Sequence, residues 1–286
     1  MNYSIFKDNL LGLNFPKNKI DWDDAYNNSS NIHNSDHYFN LWKSQASKFR
    51  STANCHLNIL YDNETQSTYD LFLPIIRSKG TLIFIHGGYW TECSKSDWSH
   101  IAAGAVEHGW SVAIPNYPKC PQVRIADIFK YIAKAINYIN QQHPGRLVVV
   151  GHSAGAHLVL RLLSGNILID KGTQSALEKV VGISGVYDLS PLLLTKMNKI
   201  LNLDLKECRS ESPLRLVPNL NIPCSIYFGS QELSEFKRQA RALVNTWKLL
   251  GISPELYIED GCHHFNILDS LQCAQGNILH NALSIK

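Results

Sequence analysis

Short runs of apolar, β-branched and aromatic residues follow one another from residue 54 onwards and predict the strands of a sheet. Several of them, such as Leu147 to Val150, are apolar without interruption, which is typical of parallel strands covered on both faces. The first two runs flank a polar turn near Asp62 and Asn63 and predict a hairpin. The predicted strands are Cys55–Tyr61, Thr68–Leu73, Thr81–Ile85, Ser111–Ile114, Arg146–Val150, Val180–Ile183, Cys224–Phe228 and Glu255–Ile258.

The segments between these strands carry the three- and four-residue spacing of amphipathic helices. One apolar face comprises Ile125, Ile128, Phe129, Ile132, Ile136 and Ile139. A second comprises Phe236, Ala240, Leu243, Val244, Trp247 and Leu250, and Gly251 just beyond it is a predicted helix cap. Strands that alternate with helices predict an α/β fold with a mostly parallel, doubly wound sheet and helices on both faces.

Two regions depart from this alternation. Residues 1–50 are polar, rich in Asn and weakly periodic, and we interpret them as an N-terminal extension with a helix around Asp36 to Phe49. Residues 187–220 make a longer connection than is usual between two elements and are a candidate lid insertion. Because the pattern contains no internal repeat and no convincing linker, we predict a single domain over residues 1–286.

The composition is that of a globular protein and narrows the expected partners. Of the 286 residues, 44% are hydrophobic and 18% are charged. The formal net charge of +3 is not concentrated in any basic run, so neither nucleic acid nor a membrane surface is an expected partner. No apolar stretch approaches the ~18 residues of a membrane-spanning helix, and the first residues lack a signal-peptide profile.

Cysteine usage points to a reducing compartment. The seven cysteines are odd in number, scattered, and never spaced as Cys-x-x-Cys, so reduced thiols are expected. We therefore predict a cytoplasmic protein. The oligomeric state is left open by the sequence, which is compatible with a homodimer.

A candidate nucleophile lies in the segment Gly151-His-Ser153-Ala-Gly155, which fits the pattern Gly-x-Ser-x-Gly. The pentapeptide alone is a weak signal, but a predicted strand leads into it and a helix-like run from Ala156 to Leu163 follows it. In such a strand–turn–helix setting the serine occupies a strained turn with its hydroxyl exposed above the sheet. An incidental serine in a Gly-rich turn is the weaker interpretation.

A candidate oxyanion site lies upstream, where Ile85-His-Gly-Gly-Tyr-Trp90 ends another predicted strand. Loops of the His-Gly-Gly type lend backbone N–H groups to a tetrahedral intermediate. We assign the donors to Gly88, to Gly87 or Tyr89, and to Ala154 after the nucleophile. His86 is interpreted as a brace for the loop. The rings of Tyr89 and Trp90 form a candidate aromatic wall for substrate, with ordinary packing as the alternative.

The base and the acid follow from chain order. A serine hydroxyl needs an adjacent base, and in strand–turn–helix enzymes of this type the order is serine, acid, histidine. Glu232 follows a predicted strand end and His264 follows the last strand, so we assign them as acid and base. The competing base is the neighbouring His263, and the competing acids are Glu235 and Asp260. All three remain open at the level of the sequence.

Other chemistries lack their sequence signatures. No His-Glu-x-x-His or comparable cluster is found among the twelve histidines, so no catalytic metal is expected. No Gly-x-Gly-x-x-Gly motif opens a nucleotide site. We predict an α/β-hydrolase fold enzyme that works with Ser153, Glu232 and His264 and without a cofactor.

The motifs also resemble those of a known family. The segments His86-Gly-Gly-Tyr-Trp90 and Gly151-His-Ser-Ala-Gly-Ala-His157 resemble kynurenine formamidase (arylformamidase) of the metal-independent α/β-hydrolase type. Further likenesses make the resemblance span nearly the whole chain: Asp24-Ala-Tyr-Asn-Asn28, Ser184-Gly-Val-Tyr-Asp-Leu189, Ser212-Pro213, Glu232 to Gln239 and His264-Phe265. The chain departs from the family in having Glu232 where Asp is frequent, and His263 where Asp often precedes the histidine.

The resemblance implies a specific reaction in tryptophan degradation. It would be the hydrolysis of N-formyl-L-kynurenine to L-kynurenine and formate, through a formyl ester on Ser153. A carboxylesterase or lipase with the same machinery is the second interpretation, because all motifs except His-Gly-Gly-x-Trp are shared with those enzymes. A binding protein of the same fold without turnover is the third. In the first two cases the expected partner is a small aryl formamide or ester.

Overall fold

A computed structural model describes residues 20–285, and within them eight strands form one sheet in the order β1-β2-β4-β3-β5-β6-β7-β8. The β1–β2 and β2–β4 pairs are antiparallel, and all the others are parallel. The strands are β1 (Cys55–Asp62), β2 (Ser67–Phe72), β3 (Thr81–Ile85), β4 (Ser111–Pro115), β5 (Leu147–His152), β6 (Leu177–Ile183), β7 (Cys224–Gly229) and β8 (Glu255–Glu259).

Helices connect the strands and precede the first of them. The α-helices are α1 (Trp22–Ala25), α2 (Asn28–Asn31), α3 (Ser35–Thr52), α4 (Ala103–Glu107), α5 (Ile125–Gln142), α6 (Ala154–Arg161), α7 (Lys171–Ala176), α8 (Asn198–Leu201), α9 (Leu205–Glu211), α10 (Ser234–Leu249), α11 (Asp269–Gln272) and α12 (Asn277–Leu283). Short 3₁₀ helices cover Lys95–Asp97, Ser99–Ala102, Ser190–Leu194, Pro213–Arg215 and Asn266–Leu268. Among residues 20–285, no helix is both long and apolar enough to cross a membrane.

The central strands are buried on both faces because successive side chains alternate between two cores. In β3, Ile83 and Ile85 join the core beneath α5, α6 and α10, whereas Leu82 and Phe84 join the core on the opposite face. That second core contains residues of α3, α4 and α12. The arrangement confirms the predicted mostly parallel, doubly wound sheet with helices on both faces.

The predicted elements agree with the observed ones to within a few residues. The strand predicted as Thr81–Ile85 has those bounds, and the one predicted to begin at Val180 begins at Leu177. The first hairpin is antiparallel, as predicted. Gly251, the predicted cap, has a φ of 87° just after α10. Such a left-handed backbone is what favours glycine there.

Residues 1–50 and residues 187–220 are the two regions outside the alternation of strands and helices. Within the predicted extension 1–50, residues 1–19 lie outside the described residues, and the predicted helix is α3. Residues 187–220 contain short helical turns that pack on α10: the Gln239 side chain accepts from the N–H groups of Tyr187 and Asp188, and Trp247 Nε1 donates to the Pro213 carbonyl at 3.2 Å. The lid and the single domain over 1–286 stay predictions.

Candidate active site

Ser153 occupies the turn between β5 and α6 in a strained conformation. Its φ of 56° and ψ of −119° lie where residues with a side chain are uncommon, and such strain concentrates at functional sites. The flanking glycines make the turn sterically feasible. A Cβ on Gly151 would lie 2.3 Å from the Gly155 carbonyl oxygen, and a Cβ on Gly155 would lie 2.0 Å from that of Ile85. The sequence therefore places the serine at the carboxyl end of a central strand.

Glu232 and His264 form a hydrogen-bonded pair. Glu232 follows β7 and His264 lies in the connection after β8, so both come from the same edge of the sheet as Ser153. The His264 Nδ1 atom lies 2.9 Å from Glu232 Oε2, and both residues are 3% exposed. The other carboxylate oxygen accepts from the Leu233 N–H at 2.9 Å. With two acceptor oxygens occupied, the carboxylate holds the imidazole in one orientation.

Electrostatics favours an ionised Glu232. Burial acts to raise the pKa of this carboxyl, but a protonated His264, its hydrogen bond and the other hydrogen bonds to the carboxylate together outweigh burial and lower the pKa below its usual value. An ionised carboxylate can only accept, so the hydrogen of the pair resides on His264 Nδ1. In the neutral imidazole this tautomer leaves the lone pair on Nε2, which is the form that a general base requires.

The structure also separates the competing candidates. His263 Nδ1 accepts from the Phe265 N–H at 3.2 Å, so its Nε2 donates to the Tyr38 hydroxyl at 3.1 Å. Glu235 pairs with Arg238 at 2.7 Å, and Asp260 accepts from the Ser230 hydroxyl at 3.2 Å. The carboxylate brought to His264 is therefore Glu232.

The loop after β3 lies directly against the nucleophile. A Cβ added to Gly87 would lie 2.9 Å from the Ser153 Cβ. Gly88, Tyr89 and Trp90 have φ values of 108°, 47° and 60°, so three consecutive residues are left-handed. Within residues 20–285, the N–H groups of Gly88 and Tyr89 have no hydrogen-bond acceptor.

Ala154 supplies the remaining predicted donor. It is the first residue of α6, where a backbone N–H has no partner inside the helix. The partial positive charge of a helix N-terminus adds to its affinity for negative charge. Unpaired donors of this kind on both sides of the serine are suited to stabilising an oxyanion.

One pocket joins these parts. It is compact, with a cavity volume of about 60 Å³. Ser153, His264 and the predicted donor residues Gly87, Gly88 and Tyr89 line it together. The other lining residues, half of them Phe or Trp, are Ser29, Phe39, Trp42, Glu92, Cys93, Trp98, His152 and Phe265.

The assignment of Trp90 to the aromatic wall is wrong. Its side chain is 0% exposed, it packs edge-on against His157 with ring centroids 5.2 Å apart, and it is not among the described residues that line the pocket. Trp90 has left-handed backbone, and its side chain belongs to the core beneath α5, α6 and α10. Tyr89 does line the pocket. His86 stacks on Tyr117 with centroids 4.6 Å apart, and this buried packing is consistent with a brace.

Sequence reasoning missed the wall that α2 and α3 provide. Ser29, Phe39 and Trp42 come from these helices, far from the nucleophile along the chain, yet they line its pocket. Phe39 packs against Phe265 and Trp42 against Trp98, with centroids 5.4 and 4.7 Å apart. The sequence does contain one pattern that could have indicated this wall. In Tyr38-Phe39-x-x-Trp42, both Tyr38 and Phe39 lie one helical turn before Trp42, so the three rings are neighbours on the surface of one helix.

Within residues 20–285, no group of three or more His, Cys, Asp or Glu side chains is arranged to hold a metal ion. A buried histidine next to the serine also contacts the backbone of the proposed base. Its Nε2 atom, on His152, lies 2.9 Å from the His264 carbonyl oxygen. Burial, with the nearby charge of His264, holds the pKa of His152 well below its usual value. His152 is therefore a neutral support for the His264 backbone.

Comparison with known proteins agrees with this geometry. A family model for the alpha/beta hydrolase fold matches residues 82–216. Kynurenine formamidase of Salmo salar is 29% identical over 245 residues, with 80% of this chain and 81% of that protein covered. Kynurenine formamidase of Danio rerio is 26% identical over 241 residues, with the same coverage.

A solved structure gives a similar result. The crystal structure of a candidate thioesterase from Silicibacter sp. TM1040 superimposes with a TM-score of 0.87 and 34% sequence identity. The match covers 93% of this chain and 100% of that one. The likeness therefore extends over the strands, the helices and the segment ahead of β1.

Proposed function

The chain belongs to the α/β-hydrolase family as a kynurenine formamidase-like member, and we propose that it hydrolyses N-formyl-L-kynurenine to L-kynurenine and formate through a formyl ester on Ser153. One observation carries the proposal. Ser153, the His264 that is paired with Glu232, and the loop of Gly87 to Tyr89 all line a single pocket with aromatic walls.

The acylation step uses each of these groups. Ser153 Oγ attacks the formyl carbon while His264 Nε2 accepts the hydroxyl proton, and Glu232 stabilises the imidazolium that results. The carbonyl oxygen becomes an oxyanion beside the N–H groups of Gly88 and Ala154, with Gly87 or Tyr89 as a further donor. Because these donors are fixed before the reaction, they need not reorganise when the charge develops.

Collapse of the intermediate releases the amine. The C–N bond breaks, and His264 returns its proton to the departing nitrogen, so the aryl amine leaves neutral. An aryl amine is a better leaving group than an alkyl amine because the ring delocalises its electron pair. Water then attacks the formyl ester with His264 again as base, which releases formate and restores the Ser153 hydroxyl.

The pocket suits a small acyl group and a planar leaving group. A formyl carbon carries only hydrogen, so it can approach the crowded loop at Gly87, which would contact Ser153 if it carried a Cβ. The rings of Phe39, Trp42 and Tyr89 line the same pocket and can pack against the aryl ring of the substrate.

Ester hydrolysis is the second candidate function. The Silicibacter relative is described as a candidate thioesterase, and esters or thioesters need the same nucleophile, base and oxyanion donors. The two functions therefore differ in the pocket, where the aromatic wall favours an aryl leaving group. A small carboxylic ester with an alkyl leaving group makes little use of that wall.

A substrate panel tests the proposal. Purified protein is assayed with N-formyl-L-kynurenine, N-formylaniline, p-nitrophenyl acetate and an alkyl thioester, and Ser153→Ala serves as the control for each substrate. The proposal expects the highest kcat/KM with N-formyl-L-kynurenine. Efficient turnover of the esters with no cleavage of either formamide would instead establish the second candidate.

A further inference from the structure

We propose that Tyr26 and Asn28 are positioning residues, which hold the hydroxyl of Tyr89 and so set the geometry of the oxyanion loop. The inference rests on the proposed function only in taking that loop as the oxyanion site. Neither residue lines the pocket. Both act on the reaction through Tyr89, and this assigns a role to a segment ahead of β1 that lies far from the nucleophile in the sequence.

The contacts converge on one atom. The Tyr89 hydroxyl donates to the Tyr26 carbonyl oxygen and accepts from Asn28 Nδ2 at 3.0 Å. Asn28 is 2% exposed, and its backbone N–H also donates to the Tyr26 carbonyl oxygen at 3.2 Å. The hydroxyl is thus fixed from both its donor and its acceptor side, which leaves the Tyr89 ring little freedom to move.

The oxyanion loop needs such a restraint. Tyr89 and Trp90 both have side chains and both adopt positive φ values, a conformation that persists only where the surroundings impose it. The N–H of Tyr89 belongs to the residue whose hydroxyl is held, so a rotation of the peptide would have to move the anchored ring. Loss of the anchor should therefore let the donors drift from the position of the oxyanion.

Tyr26 is itself firmly held. It is 1% exposed, its hydroxyl accepts from Gln239 Nε2 at 2.7 Å, and its ring packs edge-on against Phe236 with centroids 5.7 Å apart. Phe236 in turn packs against the His264 ring at 4.9 Å. Through α10, the anchor of the donor loop therefore shares its support with the proposed base.

The test compares three variants with a matched control. Tyr89→Phe removes the hydroxyl and keeps the ring and the backbone N–H, whereas Asn28→Ala removes one hydrogen bond to that hydroxyl. The third variant combines the two changes. The control is Asn31→Ala, because Asn31 lies in the same helix α2, is exposed, and bonds only within its own segment, to Asp24 and to the Asn27 carbonyl.

The proposal expects a loss in kcat with little change in KM. Displaced catalytic groups reduce rates steeply, so Tyr89→Phe should lower kcat about tenfold and Asn28→Ala about threefold. The double variant should be no slower than Tyr89→Phe alone, since both changes act through one hydroxyl. Asn31→Ala should keep the parent kcat. Thermal unfolding of each variant shows that it is folded.

Two results would overturn the proposal. If Asn28→Ala is folded and as active as the parent while Tyr89→Phe is slow, Asn28 does not position the hydroxyl and the proposal fails as stated. If the losses in the double variant multiply, the two side chains act independently. Should Asn28→Ala fail to fold, an unimpaired Tyr89→Phe would contradict the proposal by itself.

The readouts keep this inference separate from the proposed function. Each variant is assayed on N-formyl-L-kynurenine and on p-nitrophenyl acetate, and the rate at which a fluorophosphonate labels Ser153 is measured as well. An oxyanion site serves all three reactions, so the anchor should affect each of them. Loss of ester turnover and labelling in the variants, with no formamide cleavage even by the parent, would support the anchor and refute the formamidase.

Discussion

The proposed reacting groups and the walls of the pocket come from two regions built on different principles. Ser153, Glu232 and His264 lie at the carboxyl ends of three parallel strands, where the sheet itself brings them together. Phe39 and Trp42 come from α3, which lies ahead of the sheet in the chain and packs against the 3₁₀ helices Lys95–Asp97 and Ser99–Ala102. The residues of the first region lie in recognisable sequence motifs. The second region shapes the pocket through packing, which no short motif predicts.

This contrast predicts different kinetic signatures for the two regions. Changes at the strand ends should lower kcat, because they remove groups that act in the transition state. Changes to the walls should raise KM for aryl substrates more than they lower kcat, because they remove binding that substrate and transition state share. The proposed anchors of the loops around the site, such as Asn28 and Tyr38, should resemble the first class with smaller effects.

The largest effect is expected from Ser153→Ala. Removing the proposed nucleophile should lower kcat by at least about 10⁴-fold, with residual catalysis from the donors and from binding. Steady-state rates and fluorophosphonate labelling measure it. A variant that keeps a tenth of the parent rate would show that the reaction does not pass through an ester on this residue.

Glu232→Gln comes next. A glutamine can present its amide hydrogens to His264 Nδ1 and so favour the wrong tautomer, which should lower kcat by about 10³- to 10⁴-fold. Glu235→Gln is the matched control, since Glu235 is also a buried glutamate and pairs with Arg238. Equal losses in both variants would point to a general disturbance of the buried carboxylates.

The same pair predicts how stability depends on pH. The pKa of Glu232 is lower in the folded protein than in the unfolded chain, because its interactions with His264 and its other hydrogen bonds together outweigh the opposing effect of burial. Its ionised form therefore stabilises the fold above the usual pKa of a glutamate, and this contribution disappears as the pH falls through the lowered value. The difference in Tm between the parent and Glu232→Gln should be larger at pH 7 than at pH 3. A difference that grows on acidification would contradict this sign.

The strand ends and the pocket walls also differ in how well the sequence predicts them. The bounds of β3 and β7 could be predicted to within a residue, because an unbroken apolar run between polar turns has few alternatives. The serine turn could be predicted equally well, because its geometry requires glycine on both sides and so leaves a recognisable motif. A Cβ on Gly151 or Gly155 would lie 2.3 or 2.0 Å from neighbouring backbone oxygens.

Three features of the site could not be predicted in this way. Chain order allows His263 as well as His264, and only the hydrogen bond to Glu232 distinguishes them. The direction of the Trp90 side chain depends on left-handed backbone that a sequence does not display. The helix α3 could be predicted from its pattern, but an aromatic face alone does not say which part of the sheet it covers.

Phe39→Leu tests the wall. The leucine preserves most of the packing and removes the aromatic face, so KM for N-formyl-L-kynurenine should rise about three- to tenfold. KM for p-nitrophenyl acetate should rise less if its smaller ring makes fewer contacts, and KM for an alkyl thioester should not change. Phe49→Leu is the control, because Phe49 lies in the same helix and packs on Phe72 away from the pocket. A loss confined to kcat would place α3 with the reacting groups.

The smallest effect is expected from Tyr38→Phe, which removes the hydroxyl bonded to His263 and keeps the ring that packs on Phe265 with centroids 5.7 Å apart. His263 also accepts from the Phe265 N–H, so it ties α3 to the turn that carries His264. Losing one bond of this tie should lower kcat about two- to threefold, since the hydrogen bond to Glu232 still orients the base. In a His263→Ala background the same change should have no further effect, because its partner is already absent.

The size of the loss in His263→Ala itself decides between two roles for this histidine. A few-fold decrease in kcat agrees with an anchor, whereas a loss as large as that of Glu232→Gln would make His263 part of the reacting machinery. That outcome would also erase the distinction between the two regions, since a residue held by α3 would then be performing the chemistry of a strand end.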